Sequence, residues 1–579
     1  MAHWSEKSLR LRCVPINVTS IAELGIVTRA EPATYLFWLP FGRTQLDAQS
    51  SKAKFATLAE ACSTLNERST VCFLTTPEDA ALLLSSISNV LKFQHWVAVK
   101  TTPDAYDKNE GQLPRRHAAL LVFTGYSGVL GHTKTRIKYT YCPGCGRTTK
   151  DYGGKAHMYH EYGTSISDVW RDLEWDPTLG VNIVVDRLRD LFGLEPYREL
   201  TLVDLHECVE LLPARTALPC EGPLRVRKRG MGNHPKRLRS KLIHGDCLET
   251  LRSMPSNSID FCFADLPYNL KKKYCGWKDD LEIVEYFQWC DEWLAELLRV
   301  LKPGGTLAVL NMPVWSARHF EYLSSGMTFR SWIVWEALSI PVRNIMPAHY
   351  AILCFSKGAP SPLPGLTNVN EESYLTPQRE GFCIRPGCYL KRSLLNIQDR
   401  GEITDVWHDV HRLKHNTRRV NHPCQLPPLL MRRLFSLFTA YGDMILDCFD
   451  GAGTSTLVAA QMGRRYIGIE RSKRYHNLAR KRHSQLREGH DPFAPGNEIP
   501  KSKNNQVRRM PSQKYPVTKK DLQLDVKRIY QELGRLSTRD DVARHSHHPI
   551  SYFKEYFANW GEVCAAARTT GMSDASPLD

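Results

Sequence analysis

Apolar residues along this chain fall into short dense runs separated by amphipathic stretches, the pattern of strands alternating with helices. Val71-Cys72-Phe73-Leu74 and Ala118-Ala119-Leu120-Leu121-Val122-Phe123 read as buried strands, and Ala80 to Leu91 reads as a helix. The alternation returns further along. Met444-Ile445-Leu446-Asp447 reads as a buried strand ending in an acid, Thr454 to Met462 as the next helix, and Tyr466-Ile467-Gly468-Ile469-Glu470 as a second strand ending in an acid. This predicts an α/β fold in two units, 1–223 and 242–488, joined by a basic, Gly- and Pro-interrupted linker over 224–241. Residues 489–516 read as a second, polar linker. Residues 517–570 carry a helical pattern that predicts a small all-α domain, and the last residues read as a loose tail.

The two α/β units echo one another, and repetition in a long chain bears on its whole architecture. Phe73-Leu74-Thr75-Thr76-Pro77 sits where the second unit has Phe263-Ala264-Asp265-Leu266-Pro267. Arg116-His117-Ala118 matches Ala348-His349-Tyr350, Ser167-Asp168-Val169-Trp170 matches Thr404-Asp405-Val406-Trp407, and Leu202-Val203-Asp204 matches Ile445-Leu446-Asp447. Four collinear echoes point to a duplication; the alternative is two unrelated α/β units sharing strand patterns. On this alignment the first copy has Thr75 in place of an acid and Asp204-Leu205-His206-Glu207 in place of a Gly-rich loop, so its expected role is to hold a ligand or brace the second copy.

Composition narrows the class. A chain of 579 residues exceeds one ordinary core, so two to three domains are expected. No apolar run approaches bilayer length, and the first residues lack a signal-peptide core. A formal net charge of +16 suggests a polyanionic partner. Seventeen cysteines in such a chain read as reduced thiols, which makes the expected location cytoplasmic.

Two segments carry candidate chemistry. In Asp447-Cys448-Phe449-Asp450-Gly451-Ala452-Gly453-Thr454, the glycines let the chain pass close to a ligand and Thr454 opens a helix with free N–H groups. Glu470, ending the following strand, is placed for two ribose hydroxyls. A dinucleotide turn is the competing reading, but the loop is Phe-x-Gly-x-Gly rather than Gly-x-Gly-x-x-Gly. Upstream, Asp265-Leu266-Pro267-Tyr268 can hold a flat, amine-bearing ring. Asp265 accepts one N–H, the Leu266 carbonyl accepts the other, Pro267 fixes the backbone and Tyr268 offers a stacking face.

The acidic tetrad first, and the Phe-x-Gly-x-Gly loop about 180 residues later, resembles the permuted, beta-type amino-methyltransferases of DNA. The resemblance implies a Rossmann-like methyltransferase sheet, here duplicated, and S-adenosylmethionine as cofactor. It implies site-specific methyl transfer to the exocyclic amine of a base flipped out of duplex DNA, and action near the nucleoid. It assigns Asp246 of Gly245-Asp246 to the cofactor's adenine, beside Asp447, Phe449, Gly451, Gly453, Thr454 and Glu470. Asn421-His422-Pro423-Cys424-Gln425-Leu426-Pro427 stands where the family shows His-Pro-Thr-Gln-Lys-Pro, which sets His422 and Pro423 against the methionine end; Cys424 and Leu426 depart from the pattern. Pro423-Cys424-Gln425 is also similar to the nucleophile of cytosine-C5 enzymes, but there the cofactor loop precedes the cysteine, and the acidic tetrad would have no task.

An acid opening the tetrad implies adenine N6 as the target, with cytosine N4 the alternative. A non-catalytic DNA-binding protein and an RNA or protein methyltransferase are the competing classes. The family also implies duplex DNA as partner and a restriction endonuclease of matching specificity. It places target recognition near 359–420, which holds Arg385, Lys391, Arg392, Arg400, Arg412, Lys414, Arg418 and Arg419. Lys271, Lys272, Lys273 and Trp277, in the loop after the tetrad, are further DNA contacts to expect. The segment from Leu533 to Val563 resembles the short helical repeat found with homing endonucleases. There Thr538 suits a helix N-cap with Asp541 three residues on, and Tyr552 and Lys554 lie on the helix expected to meet DNA. Finally, Cys142 and Cys145 in one half and Cys383 and Cys388 in the other form a candidate zinc site, with His157 and His160 near the first pair.

Overall fold

The computed structural model describes residues 13–20, 23, 32–40, 48–103, 111–131, 133, 135–149, 163–194, 200–208, 238–269, 273–274, 277–278, 280–337, 345–363, 375–413, 420, 422, 425–494, 517, 519–535, 537–557, 560 and 563. The expected linkers, apart from a few end residues, lie outside these, as do His157, His160, Lys271, Lys272, Lys414, Arg418, Arg419, Pro423 and Cys424.

The first half forms a seven-stranded sheet from β1 (Cys13–Asn17), β2 (Thr34–Trp38), β3 (Thr70–Thr75), β4 (Lys92–Thr101), β5 (His117–Thr124), β8 (Val169–Trp175) and β9 (Leu200–Asp204), in the order β1-β9-β2-β3-β5-β4-β8. Two short strands, β6 (Arg136–Ile137) and β7 (Thr164–Ser165), pair beside it. The second half forms an eight-stranded sheet from β10 (Lys241–His244), β11 (Ile259–Asp265), β14 (Leu301–Asn311), β15 (Thr328–Glu336), β16 (His349–Ser356), β17 (Val406–Trp407), β18 (Met444–Asp447) and β19 (Arg465–Glu470). Its order is β10-β19-β18-β11-β14-β16-β15-β17, and the first five strands run parallel. Central strands such as β5 and β16 are buried along their whole length, which is why they read as unbroken apolar runs. The short hairpin of β12 (Lys273–Tyr274) and β13 (Trp277–Lys278) lies in the loop after the tetrad.

The halves repeat each other in register. Each sheet has a strand that leads into an 11-residue helix opening on proline: β3 into Pro77–Ile87, β14 into Pro313–Leu323. Thr75 pairs with Ala119 as Asn311 pairs with Ala351, and the bulge in β4 before His95 returns in β15 before Ser331. This register corrects one expected echo. Leu74 lies opposite Trp38, and Leu310 lies opposite Asp265. The first-half counterpart of the tetrad is therefore Trp38-Leu39-Pro40-Phe41, and Thr75 corresponds to Asn311. Both β2 and β3 run into a proline, so the sequence pattern fits either strand and only sheet pairing decides. A second echo shifts likewise. Leu36 pairs with Leu202 as Phe263 pairs with Asp447, so Leu202, two residues before Asp204, takes the place of Asp447.

The halves meet by exchanging equivalent groups. His117 Nδ1 lies 2.8 Å from Asp405 Oδ2, and His349 Nδ1 lies 3.0 Å from Asp168 Oδ1. The Arg116 amide donates to Asp405 and the Ala348 amide to Asp168, both at 2.8 Å. Trp96 and its counterpart Trp332 stack at 4.8 Å with planes 7° apart. One continuous apolar core holds Phe73, Leu82 and Trp96 together with Trp293, Phe320 and Trp332. Toward the C-terminus the described helices Lys519–Leu533, Arg539–His545 and Ile550–Tyr556 pack around Leu522, Val526, Ile529, Val542 and Phe553. Thr538 and Asp541 form the capping box expected from their spacing. Among the described residues no helix is long and apolar enough to cross a membrane.

Candidate active site

Four neighbouring parallel strands, β10, β19, β18 and β11, end at one rim, where open α/β sheets form their clefts. The cleft there has a volume of about 920 Å3. Gly245, Asp246, Asp265, Leu266, Pro267, Tyr268, His422, Phe449, Gly451 and Glu470 all line it. The tetrad and the Gly loop, distant in sequence, thus face one space because β11 and β18 are adjacent, with Phe263 opposite Asp447.

The Gly loop is built for close approach. Gly451 has φ +53° and Gly453 φ +77°. A Cβ on Gly451 would stand 2.9 Å from His422 Nε2, and one on Gly453 would stand 2.9 Å from the Cβ of Ala479. Thr454 begins the helix Thr454–Gln461 and is buried at its N-terminus. Neither Asp447, Gly453 nor Thr454 lines the cleft. Asp447 is buried beneath the loop, where it accepts from the Phe449 amide at 2.9 Å and from the Ser455 hydroxyl. It holds the loop's shape from below instead of facing a ligand. Burial, then the nearby Asp450, hold its carboxyl well above the usual range.

Asp450 was not singled out by sequence. It is buried, accepts from the Thr456 hydroxyl at 2.9 Å, and its carboxyl is pushed up to about 7, by burial first, with the charge of Glu470 adding to it. Gly468 makes room for it, since a Cβ there would stand 2.5 Å from Asp450 Oδ2.

Glu470 accepts from the Gly451 amide at 2.9 Å and from the Ser472 amide at 2.6 Å, which fixes its carboxylate at the cleft edge. Burial raises its pKa. Asp246 caps the helix Cys247–Ser253 through Oδ1, with the Leu248 amide at 2.9 Å, while lining the cleft. His422 packs edge-on against Tyr475 at 4.6 Å. Trp289, Arg471 and Tyr475 also line the wall and were not anticipated. Phe449 sits against Trp289 and Trp293, at 6.0 and 5.5 Å, a packing that no local pattern announces.

In the tetrad, the Tyr268 hydroxyl donates to Asp265 Oδ1 at 2.8 Å, and its ring, 4% exposed, lies 5.6 Å from that of Tyr350. The ring expected to stack on a base is therefore tied to the acid and largely covered in this conformation. The Pro267 carbonyl accepts from Tyr286 at 2.8 Å, which locks the turn. Asn269, at φ +52°, exchanges two hydrogen bonds with the backbone of Leu281 and so closes the following loop at its base. Lys273 and Trp277 lie in that loop's hairpin, across from Lys278 and Tyr274.

The basic segment expected to read DNA divides. Arg412 lies over the Tyr350 ring at 5.9 Å, beside the tetrad. Arg392 is fully buried and bound to Asp399, so it is no surface reader of DNA. Arg385 donates to the Thr148 carbonyl of the first half. In the C-terminal helices, Tyr552 packs against the local core and Lys554 lies on Ile550–Tyr556. The four cysteines Cys142, Cys145, Cys383 and Cys388 converge, their sulfurs within 4.8 Å of one another.

Residues 259–481, which span both the tetrad and the Gly loop, match the N6/N4 methyltransferase family, described as DNA methylase. The chain is 32% identical over 247 residues to the type II methyltransferase M.HpaI of Haemophilus parainfluenzae, covering 42% of this chain and 73% of that protein. The chain belongs to the DNA methylase family. The chain is also 31% identical over 255 residues to the DNA adenine methyltransferase YhdJ of Escherichia coli, covering 42% of this chain and 81% of that protein. It is 34% identical over 235 residues to the type II methyltransferase M.BamHI of Bacillus amyloliquefaciens, covering 40% of this chain but only about half (54%) of that relative. All three likenesses leave more than half of this chain unmatched.

Proposed function

We propose that the protein transfers a methyl group from S-adenosylmethionine to the N6 amine of an adenine flipped out of duplex DNA. The observation that carries the reading is the placement of Asp265 and the Gly451 loop on adjacent strand ends facing one cleft. The cleft suits the cofactor. Gly451 leaves its approach open, the Asp246 and Glu470 carboxylates stand at its edge to accept from hydroxyl and amine groups, and Phe449, Trp289 and Tyr475 supply apolar wall. Bound there, S-adenosylmethionine supplies an electrophilic methyl group on a sulfonium.

The chain's own task is positioning, because a ring amine delocalises its lone pair and is a poor nucleophile. Asp265 accepts one N–H of the amine and the Leu266 carbonyl the other, turning the lone pair out of conjugation. Tyr268 holds the carboxylate in orientation by donating to Asp265 Oδ1. As nitrogen gains a bond, the proton it sheds passes to Asp265 or to water beside it. The acid at the head of the tetrad favours adenine, and the likeness to the adenine methyltransferase YhdJ is in keeping with that. The basic loop after the tetrad, Arg412 and the closing helices hold the duplex, and an endonuclease of the same specificity is the expected partner.

The test is incubation of the protein with unmethylated duplex DNA and labelled S-adenosylmethionine, followed by nucleoside separation. Label in N6-methyladenine is expected. Label in N4-methylcytosine would keep the chemistry and overturn the base. No label on DNA would overturn the reading.

A further inference from the structure

The cysteine cluster lies outside the cleft and the proposed reaction makes no use of it. Two of its members come from each half. Cys142 and Cys145 sit on a tight turn between β6 and β7, closed by the bridge between Tyr141 and Thr148. Cys383 precedes the helix Pro386–Leu394 by three residues and Cys388 lies in its first turn, within the expected recognition segment. Cys142 Sγ lies 3.8 Å from Cys388 Sγ, and Cys145 Sγ lies 3.7 Å from Cys383 Sγ.

These separations decide between the states open to four thiols. A disulfide needs sulfurs about 2.05 Å apart. Ligands at about 2.3 Å around a tetrahedral zinc place neighbouring sulfurs about 3.8 Å apart. Both close pairs stand at the second distance, and all four sulfurs fit within 4.8 Å, room for one ion and too tight for a multi-iron cluster.

Hydrogen-bond donors converge on the sulfurs. The Gly144 amide donates to Cys142 and the Arg385 amide to Cys383, in each case from two residues further on. The Cys145 and Gly146 amides bond back to the Cys142 carbonyl at 3.2 and 2.8 Å, the knuckle that turns two sulfurs to one side. The buried Arg392 guanidinium stands 2.8 Å from Cys388 Sγ while Asp399 fixes its other edge at 2.7 Å. Gly144 is required by this packing. A Cβ there would stand 2.9 Å from Arg392 Cδ and 3.3 Å from Cys388 Sγ.

We infer that Cys142, Cys145, Cys383 and Cys388 bind one structural zinc ion that staples the recognition segment of the second half to the first half. The site is closed, with four protein ligands and no open position, so its role is architectural. Other bonds run the same way: Lys100 to Glu380 at 2.6 Å, and Arg385 to the Thr148 carbonyl at 2.7 Å. With the zinc in place the segment has a fixed anchor at its cysteines; without it, hydrogen bonds, ion pairs and packing remain. That the anchored segment reads DNA rests on the proposed function. The metal site itself does not.

The test uses the full-length chain, purified and passed over a chelating resin before elemental analysis. About one zinc per chain is expected, and about one cobalt in chain prepared with cobalt, showing tetrahedral tetrathiolate absorption. Cys145→Ser should lose most of the bound zinc. Because cysteine variants can fail to fold, a mercurial thiol reagent added to the intact chain provides a second readout. Zinc release should track four thiols, reported by a dye. Hydrogen exchange over 375–400 should then rise at least about tenfold on zinc removal. A metal-free chain with four titratable thiols, a Cys142–Cys388 or Cys145–Cys383 disulfide, or iron in place of zinc would each overturn the inference. None of these readouts needs DNA or a methyl donor, so failure of the methyltransferase reading leaves the result intact.

Discussion

Asp265→Asn is the sharpest perturbation of the proposed site. The amide keeps the shape of the carboxylate, and its oxygen can still accept from the Tyr268 hydroxyl that donates to Asp265 Oδ1 at 2.8 Å. The fold and the cofactor wall should therefore survive. Two things are lost. Hydrogen bonds to a charged group contribute about 1.5–3 kcal/mol against about 1 for neutral ones, so the hold on the amine weakens by about 1–2 kcal/mol, or about 5- to 30-fold. The proton acceptor also disappears, which costs about 10²–10⁴-fold. The expected fall in single-turnover methyl transfer is at least about 10³-fold, with cofactor affinity from calorimetry within about threefold of the parent chain. Tyr268→Phe removes one donor to the same carboxylate and should slow transfer by about 10- to 100-fold. The double variant should be scarcely slower than Asp265→Asn alone, because both act through one group. A rate for Asp265→Asn within tenfold of the parent, or a large loss of cofactor affinity in a folded variant, would refute the role given to Asp265.

Gly451→Ala places a Cβ 2.9 Å from His422 Nε2 at a positive φ, at a conformational cost of about 1–2 kcal/mol, and should raise the cofactor Kd by about tenfold or more in calorimetry. Asp450, with its carboxyl pushed up to about 7, contributes stability fully below its unfolded value and loses it as pH rises through the folded one. Hydrogen exchange of the 447–456 loop, corrected for intrinsic rate, should accordingly rise between about pH 6 and 8, and Asp450→Asn should flatten that rise. Asp409 pairs with Arg433 through two bonds of 2.7 and 2.8 Å, both groups buried, and the guanidinium holds its carboxyl well below the usual range. Its contribution is present above the unfolded pKa and fades as pH falls, and Asp409→Asn should cost about 3–5 kcal/mol in denaturant unfolding at neutral pH, much of it recovered by adding Arg433→Met. Calorimetry should find one cofactor per chain, because the first half has Leu202 at the register of Asp447 and, among its described residues, no counterpart of β19, the strand that delivers Glu470.

What the sequence made legible was the chemistry carried by contiguous residues. The strand, glycine turn and helix of 444–462 are set by local apolar pattern and by positive φ at Gly451 and Gly453, and the structure has them where the pattern puts them. The same holds for the capping box at Thr538. Groups that join a site by packing were not legible. Trp289 reaches the cleft from the helix Ile283–Val300 and Tyr475 from the helix Lys473–Arg487, where each reads as one more aromatic on an amphipathic helix. Asp450 looks like a loop acid until Ser455, Thr456 and Gly468 close over it. Arg392 fits the basic character of its segment, yet burial beside Asp399 and Cys388 removes it from any surface. The misplaced Thr75 echo has the same origin, since a strand followed by a proline occurs twice in the first half and only cross-strand pairing tells the two apart.

That pairing also gives the first half a physical task. It keeps the tetrad's Leu-Pro, but Trp38 lies against His206 at 4.1 Å and near Trp175 at 6.4 Å, where the second half has an open cleft. Among the described residues no strand there takes the place of β19, the strand that delivers Glu470, and β1 pairs directly with β9. The parts a cofactor needs are replaced by packing. What persists is the face turned toward the second half: the Trp96 stack, His117 bound to Asp405, and Asp168 accepting from the Ala348 amide across it. Asp405 sits immediately before β17, between Cys388 and Asp409 in the segment expected to read DNA, and β17 pairs with β15. Each bond from the first half to Asp405 therefore also holds that segment. A first-half sheet that repeats the register of the second and carries these bonds is explained by what it holds in place.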